Sequence, residues 1–415
     1  MAADSVKVSV VVPVYNTAPY LPQCLDSLVG QSLDDIEIIC VDDGSTDGSL
    51  AILQDYAQQD PRLMVVAQQN QRAGIARNNG LALARGRYVL FCDSDDYLDS
   101  DALELMFAQC ERDNADICIC KEDKYREESR QRVPAPSHLE MDRIPKALPF
   151  NRESNHEHIF SFTTVMVHNK MYRRSFLVEH GLQFSSARNG EDVVFSASAL
   201  WLAERITIVE KALVVYRVGR PGSLVATLSE APAEPIIEWL EVFRRFGDTP
   251  NFAKRSFDCK VVGVIRHSFR NISEATAFSE CFDVLRDGVF EQLALDRQDA
   301  SYYYKPWYAS FVAHLQDDAL PEFLTYMLFE TSRELDAQMD ERKMERRTAL
   351  SAKAKLEAHV RSLSAKVDSL ESDCGRLESE NCELSRKFSK VEWLYLVGRR
   401  VLAPVRALLK RRDAK

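Results

Sequence analysis

Short, almost unbroken apolar runs alternate with helical segments through the first part of the chain, and this alternation constrains the fold more than any other feature. The runs are rich in β-branched residues, which favours strands that are covered on both faces. They occupy residues 7–15, 36–41, 63–67, 88–92 and 116–120. Because short loops join the strands and helices, the pattern predicts βαβ units and a doubly wound, mostly parallel sheet with right-handed crossovers.

Acidic residues follow two of these runs directly. Asp42 and Asp43 come after the second run, and Asp93, Asp95 and Asp96 come after the fourth. Parallel strands share one carboxyl edge, where ligands bind in open α/β sheets. Hard oxygen ligands at that edge suit Mg²⁺ or Mn²⁺ that also carries a phosphate-bearing substrate. Taken alone, each cluster also fits an acidic turn that caps the next helix.

The composition excludes several classes of protein. The chain has 415 residues, enough for about two or three domains, and a net charge of −10, which argues against a nucleic-acid-binding protein. Its ten cysteines form no C-x-x-C pair and no zinc spacing, as expected in a reducing compartment. Neither a signal peptide nor a membrane-spanning run is expected. The predicted location is therefore the cytoplasm.

The middle of the chain completes the sheet domain and then becomes helical. Residues 121–158 are polar and contain four prolines, so we expect a long loop there, either a lid or a loop on the acceptor side. Residues 160–181 are expected to be partly helical, and 206–217 to form strands. From 230 to 335 the pattern is helical, with aromatic residues as core and no catalytic motif. We therefore predict a sheet domain over 1–229 and a helical accessory domain over 230–335.

A heptad pattern predicts a coiled coil over residues 336–395. Apolar residues alternate spacings of four and three from Leu356 to Val391, over about five heptads. Asn381 is a polar residue at an a position, of the kind that fixes register and strand number. A long solvated helix is the alternative. The strict repeat favours a coiled coil that makes the protein a homo-oligomer.

The last segment, residues 396–415, is basic and amphipathic. Its positions 399–415 carry seven Lys or Arg residues against one Asp, with apolar residues between them. Such an end on an acidic protein indicates peripheral contact with an anionic membrane surface, at the inner face of the membrane. A disordered basic tail is the alternative.

Further motifs follow one another in a fixed order along the chain. They are V-S-V-V-V-P-V-Y-N at 8–16, V-D-D-G-S-T-D at 41–47, G-I-A-R-N at 74–78, D-S-D-D at 93–96, N-K-M-Y at 169–172, G-E-D at 190–192 and Y-R at 216–217. Each is weak alone, but in this order and spacing they resemble the family 2 glycosyltransferases of GT-A fold, of the bacterial cell-surface polysaccharide type. The resemblance covers about residues 6–225 and implies a Rossmann-like sheet domain.

The resemblance also implies roles in binding a nucleotide sugar. Arg77 would face the nucleotide or its diphosphate, Asp93 would approach the ribose or the metal, and Asp95 would ligate the divalent metal. The other residues that it assigns to donor binding lie at the ends of the first two strands and near the end of the sheet domain: Pro13, Tyr15, Asn16, Asp42 and Asp43 for the base and ribose, and Arg217 or Arg220, with Ser223, for the diphosphate.

The same resemblance implies that Asp192, paired with Glu191, is the general base. Sugar transfer needs a carboxylate that takes the acceptor proton on the side of the sugar opposite the leaving group. Two close carboxylates raise one pKa, which suits this role, and an acidic pair at a helix N-terminus is the other interpretation. Two departures from the family pattern are Arg72, where many members have Gly, and the insertion of Val218 and Gly219 before Arg220.

These observations predict an inverting, metal-dependent glycosyltransferase that uses Mn²⁺ or Mg²⁺ and a nucleotide-sugar donor, with UDP as the expected nucleotide. The acceptor would be a polysaccharide or lipid-linked glycan. A nucleotidyltransferase is the alternative enzyme, but it requires a Gly-rich basic loop after the first strand, which 14–22 lacks. A non-catalytic scaffold is the third reading, and the intact carboxylates argue against it.

Overall fold

A mixed sheet built around the first apolar run organises the fold. The computed structural model describes residues 6–220 and 230–412, and within them nine strands form one sheet. The strands are β1 (Val8–Val14), β2 (Ile36–Asp42), β3 (Leu63–Ala67), β4 (Tyr88–Phe91), β5 (Tyr97–Leu98), β6 (Ile117–Arg126), β7 (Gln131–Pro134), β8 (Lys170–Arg173) and β9 (Ile206–Val218).

Helices pack on the sheet and continue to the end of the described chain. They are α1 (Leu21–Val29), α2 (Ser49–Gln59), α3 (Arg72–Leu83), α4 (Ala102–Asp113), α5 (Arg174–Glu179), α6 (Val193–Leu202), α7 (Glu234–Phe246), α8 (Lys254–Asn271), α9 (Ala275–Val284), α10 (Phe290–Gln292), α11 (Trp307–Asp317) and α12 (Leu320–Arg412). The chain divides into two units, Met1–Leu328 and Phe329–Lys415.

The strand order is β3-β2-β1-β4-β8-β6-β9-β5, with β7 paired to β6. Strands β3, β2, β1 and β4 run parallel, and β6 and β9 form a long parallel pair. Strand β8 is antiparallel to both β4 and β6 and joins these two groups. The predicted mostly parallel, Rossmann-like sheet domain of GT-A type, followed by a helical region, is therefore confirmed.

Both faces of the central strands are covered, as their apolar composition predicts. Val8, Val10 and Val12 of β1 belong to one apolar core, and Val11 belongs to the other, so successive side chains point to opposite faces. Every residue of β1 is buried. Such burial explains why the run shows no polar alternation.

The carboxyl ends of β1, β2 and β4 meet at one edge of the sheet. The Asp43 amide donates to the Val14 carbonyl at 2.8 Å, and the Cys92 amide donates to the Val11 carbonyl at 3.0 Å. This adjacency follows from the parallel register of the three strands. The acidic segments after β2 and β4 therefore flank the segment that leaves β1.

The expectations for residues 121–181 are wrong in part. Strand β6 continues to Arg126 and β7 follows it, because this polar segment pairs with β9 instead of leaving the sheet. Two short 3₁₀ turns come next, Pro136–His138 and Met141–Arg143. Residues 160–181 are helical in part, as predicted, because they contain α5, and they also contain strand β8.

The aromatic residues of the helical region form core, as predicted. Trp239, Phe257, Phe311 and Phe323 are all buried. Their rings extend the apolar core that includes β4 and α6, so α7 to α11 belong to the same unit as the sheet. The predicted boundary at residue 230 stays a prediction.

Helix α12 carries the predicted heptad positions. Leu363, Val367, Leu370, Leu377 and Leu384 are exposed by between 47% and 68% in the single chain. The coiled coil itself stays a prediction, and the side chains of residues 388–415, which include the whole basic tail, lie outside the described residues. No helix of the described chain is long and apolar enough to cross a membrane.

Candidate active site

The segment that leaves β1 is tied to the loop after β2. Asn16 adopts a left-handed backbone conformation with a φ of 52°. Its side-chain oxygen accepts hydrogen bonds from the amides of Thr46 at 2.8 Å and Asp47 at 3.3 Å. Tyr15 is about half exposed, with 49% of its surface accessible, whereas Pro13 is buried within β1. Tyr15 is thus the side chain of this segment that is open to a ligand.

Asp42 and Asp43 differ in how their carboxylates are used. Both are buried. The Asp43 carboxylate accepts hydrogen bonds from the Gln68 side chain at 2.7 Å and from the amides of Gln71 and Arg72, each at 2.8 Å. It therefore shapes the loop that precedes α3. In Asp42, Oδ2 accepts from the Ser45 amide, while Oδ1 has no hydrogen-bond partner among the described residues.

Arg77 on α3 is a buried cation that bridges two carboxylates. Its guanidinium donates to Asp93 Oδ1 at 2.6 Å and to Glu191 Oε1 at 2.8 Å. The arginine side chain is only 6% exposed and lies over the ring of Phe184. Burial opposes its charge, but the two carboxylates more than compensate and raise the pKa of Arg77. The bridge fixes the segment after β4 against the segment before α6.

Glycines allow the Glu191 segment to approach α3. A Cβ on Gly74 would lie 2.1 Å from the carbonyl oxygen of Ser185, so no other residue fits there without displacing the backbone. Gly190 has a φ of +79°, in the left-handed region that favours glycine. Just before Gly190, the amides of Arg188 and Asn189 donate to Glu234 Oε2 at 2.7 and 2.9 Å. The start of α7 therefore holds this segment from the other side.

Asp192 combines a free carboxylate with a perturbed pKa. It precedes the first turn of α6 but its side chain makes no capping hydrogen bond. None of the other described residues donates a side-chain hydrogen bond to it. Burial and repulsion from Glu191 raise the pKa of Asp192 to about 7, against the opposing charge of Arg77. A carboxylate of this kind is suited to take and release a proton near neutral pH.

Asp93, Asp96 and His168 form a group of candidate metal ligands. One ligand atom from each lies within 4.8 Å of the other two. Asp96 Oδ2 is buried without a hydrogen-bond partner among the described residues, and His168 is buried just before β8. Carboxylate oxygens with one imidazole fit a divalent cation such as Mn²⁺. The residues present therefore suit the metal that the sequence predicts.

The pKa values of two carboxylates after β4 are shifted in opposite directions. Burial would raise the pKa of Asp93, but the charges of Arg77 and His168 hold it well below its usual range. Burial raises the pKa of Asp96 well above its usual range, against the attraction of His168. Asp93 therefore stays deprotonated, and able to ligate a cation, over the whole physiological pH range.

Asp95 and the two arginines after β9 interact with one another. Arg220 forms an ion pair with the Asp95 carboxylate. Arg217 is buried, donates to the Asp95 carbonyl at 2.8 Å and to Gln23 at 2.6 Å, and pairs with Glu127. Its guanidinium is therefore occupied by the protein itself. Contact between Arg217 and the diphosphate stays a prediction, and Ser223 lies outside the described residues.

The structure thus brings together Asp93, Arg77, Glu191 and Asp192, which the sequence predicts from separate motifs. It also adds three residues that sequence reasoning missed: His168, Glu122 and His138. His168 directly precedes the N-K-M-Y motif, which is the only sequence signal for it. Glu122 and His138 lie in the segment expected to be a loop, where a charged residue carries no sign that it is buried.

Comparison with known proteins identifies the family. Residues 9–181 match the sequence profile of Glycosyl transferase family 2. The uncharacterized glycosyltransferase EpsJ of Bacillus subtilis is 36% identical over 232 residues, which cover 56% of this chain and 65% of EpsJ. The succinoglycan biosynthesis protein ExoO of Rhizobium meliloti is 32% identical over 245 residues, which cover 57% of this chain and 68% of ExoO.

Among solved structures, S. aureus TarS 1–349 in complex with UDP-GlcNAc aligns with a TM-score of 0.48 and 21% identity, over 75% of this chain and 93% of that one. Across the curated relatives EpsJ, GlyA and EpsH, the chain spans between 32% and 65% of their length. The chain belongs to glycosyltransferase family 2.

The Arg77 bridge predicts a large loss of stability when the cation is removed. We expect Arg77→Met to lower the free energy of unfolding by about 3–5 kcal/mol, because it leaves two carboxylates in the site without their cation. Unfolding in guanidinium chloride, followed by tryptophan fluorescence, measures this change. Arg245→Met is the matched control, since its pair with Glu241 is exposed and worth less than about 1 kcal/mol. Equal losses in both variants would contradict the structural role of Arg77.

Proposed function

We propose that the protein is an inverting, metal-dependent glycosyltransferase that transfers a sugar from a nucleotide donor, UDP in the first instance, to a polysaccharide or lipid-linked acceptor. Membership of the family and the functions for which its relatives are named, such as succinoglycan biosynthesis for ExoO, support this proposal. The observation that carries it is that two carboxylates near Arg77 have pKa values shifted in opposite directions. On one side Asp93 stays charged, and on the other Asp192 has a pKa of about 7.

The two environments suit the two tasks of a single displacement. A divalent cation held at Asp93 would neutralise the charge that develops on the diphosphate leaving group. Its further ligands would be Asp95, as the sequence predicts, or Asp96 and His168. Asp192 would accept the proton of the acceptor hydroxyl as that oxygen attacks the anomeric carbon. Attack on the face opposite the leaving group inverts the anomeric centre.

The donor side of the proposal rests on the carboxyl edge of β1 and β2. Tyr15 is open to solvent and offers a ring on which a base can stack. The buried, unpartnered Oδ1 of Asp42 can accept a hydrogen bond from a base or a ribose hydroxyl. Asp43 would act by holding the loop in shape, since its carboxylate is already bonded to that loop. Calorimetry with UDP, GDP and CDP in the presence of Mn²⁺ distinguishes the nucleotides.

The role of Asp192 predicts a separation of binding from transfer. We expect Asp192→Asn to slow transfer by at least about 100-fold, because the amide cannot accept the proton of the acceptor. Affinity for UDP should stay within about threefold, because the residue serves the acceptor. Transfer is measured as the UDP that is released when the sugar of a UDP-sugar passes to water or to a glycan acceptor. UDP binding is measured by calorimetry.

Asp55→Asn is the control for this variant, because Asp55 is an exposed carboxylate on α2. It should leave both quantities unchanged. Loss of UDP binding in Asp192→Asn would refute the role of base. Transfer that is absent in the wild-type protein, together with absent UDP binding, would favour the non-catalytic scaffold instead.

The raised pKa of Asp192 predicts the direction of the pH dependence. The base must be deprotonated to act, so kcat/KM should rise with pH through a midpoint near 7 and fall on the acid side. Initial rates at saturating Mn²⁺ between about pH 5 and about pH 9 test this. Asp192→Asn should lose the acid limb in its residual activity. A limb that persists in that variant would assign the titration to another group.

We further propose that α12 holds the enzyme as a homo-oligomer through a coiled coil, and that the basic tail at 396–415 contacts an anionic membrane surface at the inner face of the membrane. The exposed apolar positions of the heptad repeat support the first part. The charge of the tail in the sequence supports the second. Both would keep a cytoplasmic enzyme close to a lipid-linked acceptor.

The coiled coil predicts a loss of association when its seam is charged. We expect Leu370→Lys combined with Leu377→Lys, or a chain that ends at residue 335, to sediment as a monomer, because charged side chains cannot pack at a and d positions. Ser372→Lys is the control, since Ser372 lies off the seam. Sedimentation velocity measures the mass, and an unchanged oligomer in the double variant would refute the coiled coil.

A further inference from the structure

We propose that the enzyme, before it binds nucleotide, holds one divalent cation between Asp93, Asp96 and the Nδ1 atom of His168, and that Glu122 orients His168 for this. The proposal rests on the function proposed above, because this cation would serve the donor diphosphate. It differs from the ligand pair that the sequence predicts, which is Asp93 with Asp95.

The distances within the cluster fit an ion better than direct hydrogen bonds. His168 Nδ1 lies 3.4 Å from Asp96 Oδ2 and 3.6 Å from Asp93 Oδ2. An N–H···O hydrogen bond spans about 2.7–3.2 Å. Two ligands that each lie about 2.1 Å from one ion, at about 100° to each other, are about 3.2 Å apart. Small movements of the side chains would therefore complete the coordination.

Glu122 fixes which nitrogen of His168 faces the cluster. Glu122 Oε2 lies 2.9 Å from His168 Nε2, on the side of the ring away from the aspartates. Its other oxygen contacts His138, and the ring of Tyr216 stacks on the imidazole with 5.3 Å between centroids. Burial opposes the charge of His168, but while no ion is bound the neighbouring carboxylates raise its pKa and keep it protonated on both nitrogens. A cation that binds Nδ1 would displace that proton to solvent and take the lone pair, while the Nε2 proton stays donated to Glu122. Histidines that bind metals commonly donate their other ring N–H to a carboxylate in this way.

Asp96 supplies an independent indication that an ion belongs there. Its Oδ1 accepts from the Arg217 amide at 2.8 Å, but Oδ2 has no hydrogen-bond partner among the described residues. The Asp96 side chain is fully buried, and a buried carboxylate oxygen without a partner is costly. A cation at this position would remove that cost. The Asp93 side chain is 29% exposed, so an ion can reach the cluster from solvent.

Asp95 is less available in this state of the enzyme. Its carboxylate is paired with Arg220, so its charge is already compensated. A ligand of the nucleotide-free enzyme must have an oxygen that is not held by another cation. Asp96 meets this condition with Oδ2, whereas Asp95 meets it with Oδ1 alone because Arg220 holds its Oδ2.

The ligand set also predicts which ion is preferred. Imidazole nitrogen binds later transition metals better than Mg²⁺, which favours oxygen ligands and its own water shell. We therefore expect Mn²⁺ to bind more tightly than Mg²⁺ in the absence of nucleotide. Replacing the imidazole should reduce that preference.

The test measures Mn²⁺ binding to the full chain without nucleotide, by calorimetry and by electron spin-echo envelope modulation (ESEEM) of the bound ion. A directly bound imidazole gives nitrogen modulation, which changes when histidine alone is labelled with ¹⁵N. This measurement needs no variant, so it does not depend on how a substitution folds. We expect the modulation in the wild-type protein and its change with the label.

Substitutions then identify the residues. His168→Gln and Asp96→Asn should each weaken Mn²⁺ binding by at least about tenfold, and Glu122→Gln by about 10–100-fold. Asp95→Asn should retain the nitrogen modulation and most of the affinity. His138→Gln is the matched control, because His138 contacts Glu122 but not the cluster, and its effect should be smaller than that of Glu122→Gln. Circular dichroism confirms that each variant is folded.

The outcomes separate this proposal from the proposed function. Bound Mn²⁺ without nitrogen modulation, or binding lost in Asp95→Asn but kept in His168→Gln, would overturn the His168 site and leave a metal-dependent transferase intact. Absence of Mn²⁺ binding without nucleotide, with UDP-dependent binding preserved, would overturn it as well. Absence of Mn²⁺ and UDP binding together would instead overturn the proposed function.

Discussion

The buried charge of Arg77 is the interaction on which the site depends. A guanidinium taken out of water costs several kcal/mol, and it is tolerated because Asp93 and Glu191 each accept from it with good geometry. The contact joins two segments that are about a hundred residues apart in the chain. Arg77 lies on α3, the helix that follows β3. The position of α3 therefore also determines how far the segment before α6 lies from the end of β4. The spacing of these two segments is therefore set by one cation.

The same cation separates the carboxylates electrostatically. Arg77 and His168 hold the pKa of Asp93 down, while burial and Glu191 hold that of Asp192 near 7. Neighbouring carboxylates with pKa values pushed apart are typical of sites where one group stays charged and the other moves a proton. Glu191 contributes to both effects, because it neutralises part of the Arg77 charge and repels Asp192.

Local patterns predicted the parts of the fold that are encoded locally. The runs that became β1, β2 and β4 are apolar throughout because both faces are covered, and the acidic residues after them mark the active edge. The extension of β6 escaped prediction because its polar residues pair with β9, nearly a hundred residues later. The cluster around His168 escaped for the same reason: Glu122 becomes a buried partner only when β6 and the segment before β8 are brought together. Asp43 was predicted to touch the ligand, and its bonds to Gln71 and Arg72 could not be seen from spacing.

The helical region takes part in the site although it carries no catalytic motif. Glu234 at the start of α7 accepts two backbone hydrogen bonds from the segment that presents Glu191 and Asp192. Gly190 packs against Pro235, where a Cβ would approach to 3.0 Å, so the turn and the helix have to fit each other. The segment of Glu191 and Asp192 is thus held between α3 and α7. A change in the packing of α7 would move Asp192 relative to Arg77 and Asp93. In the mechanism proposed above, the helical region would therefore influence which acceptor hydroxyl is deprotonated.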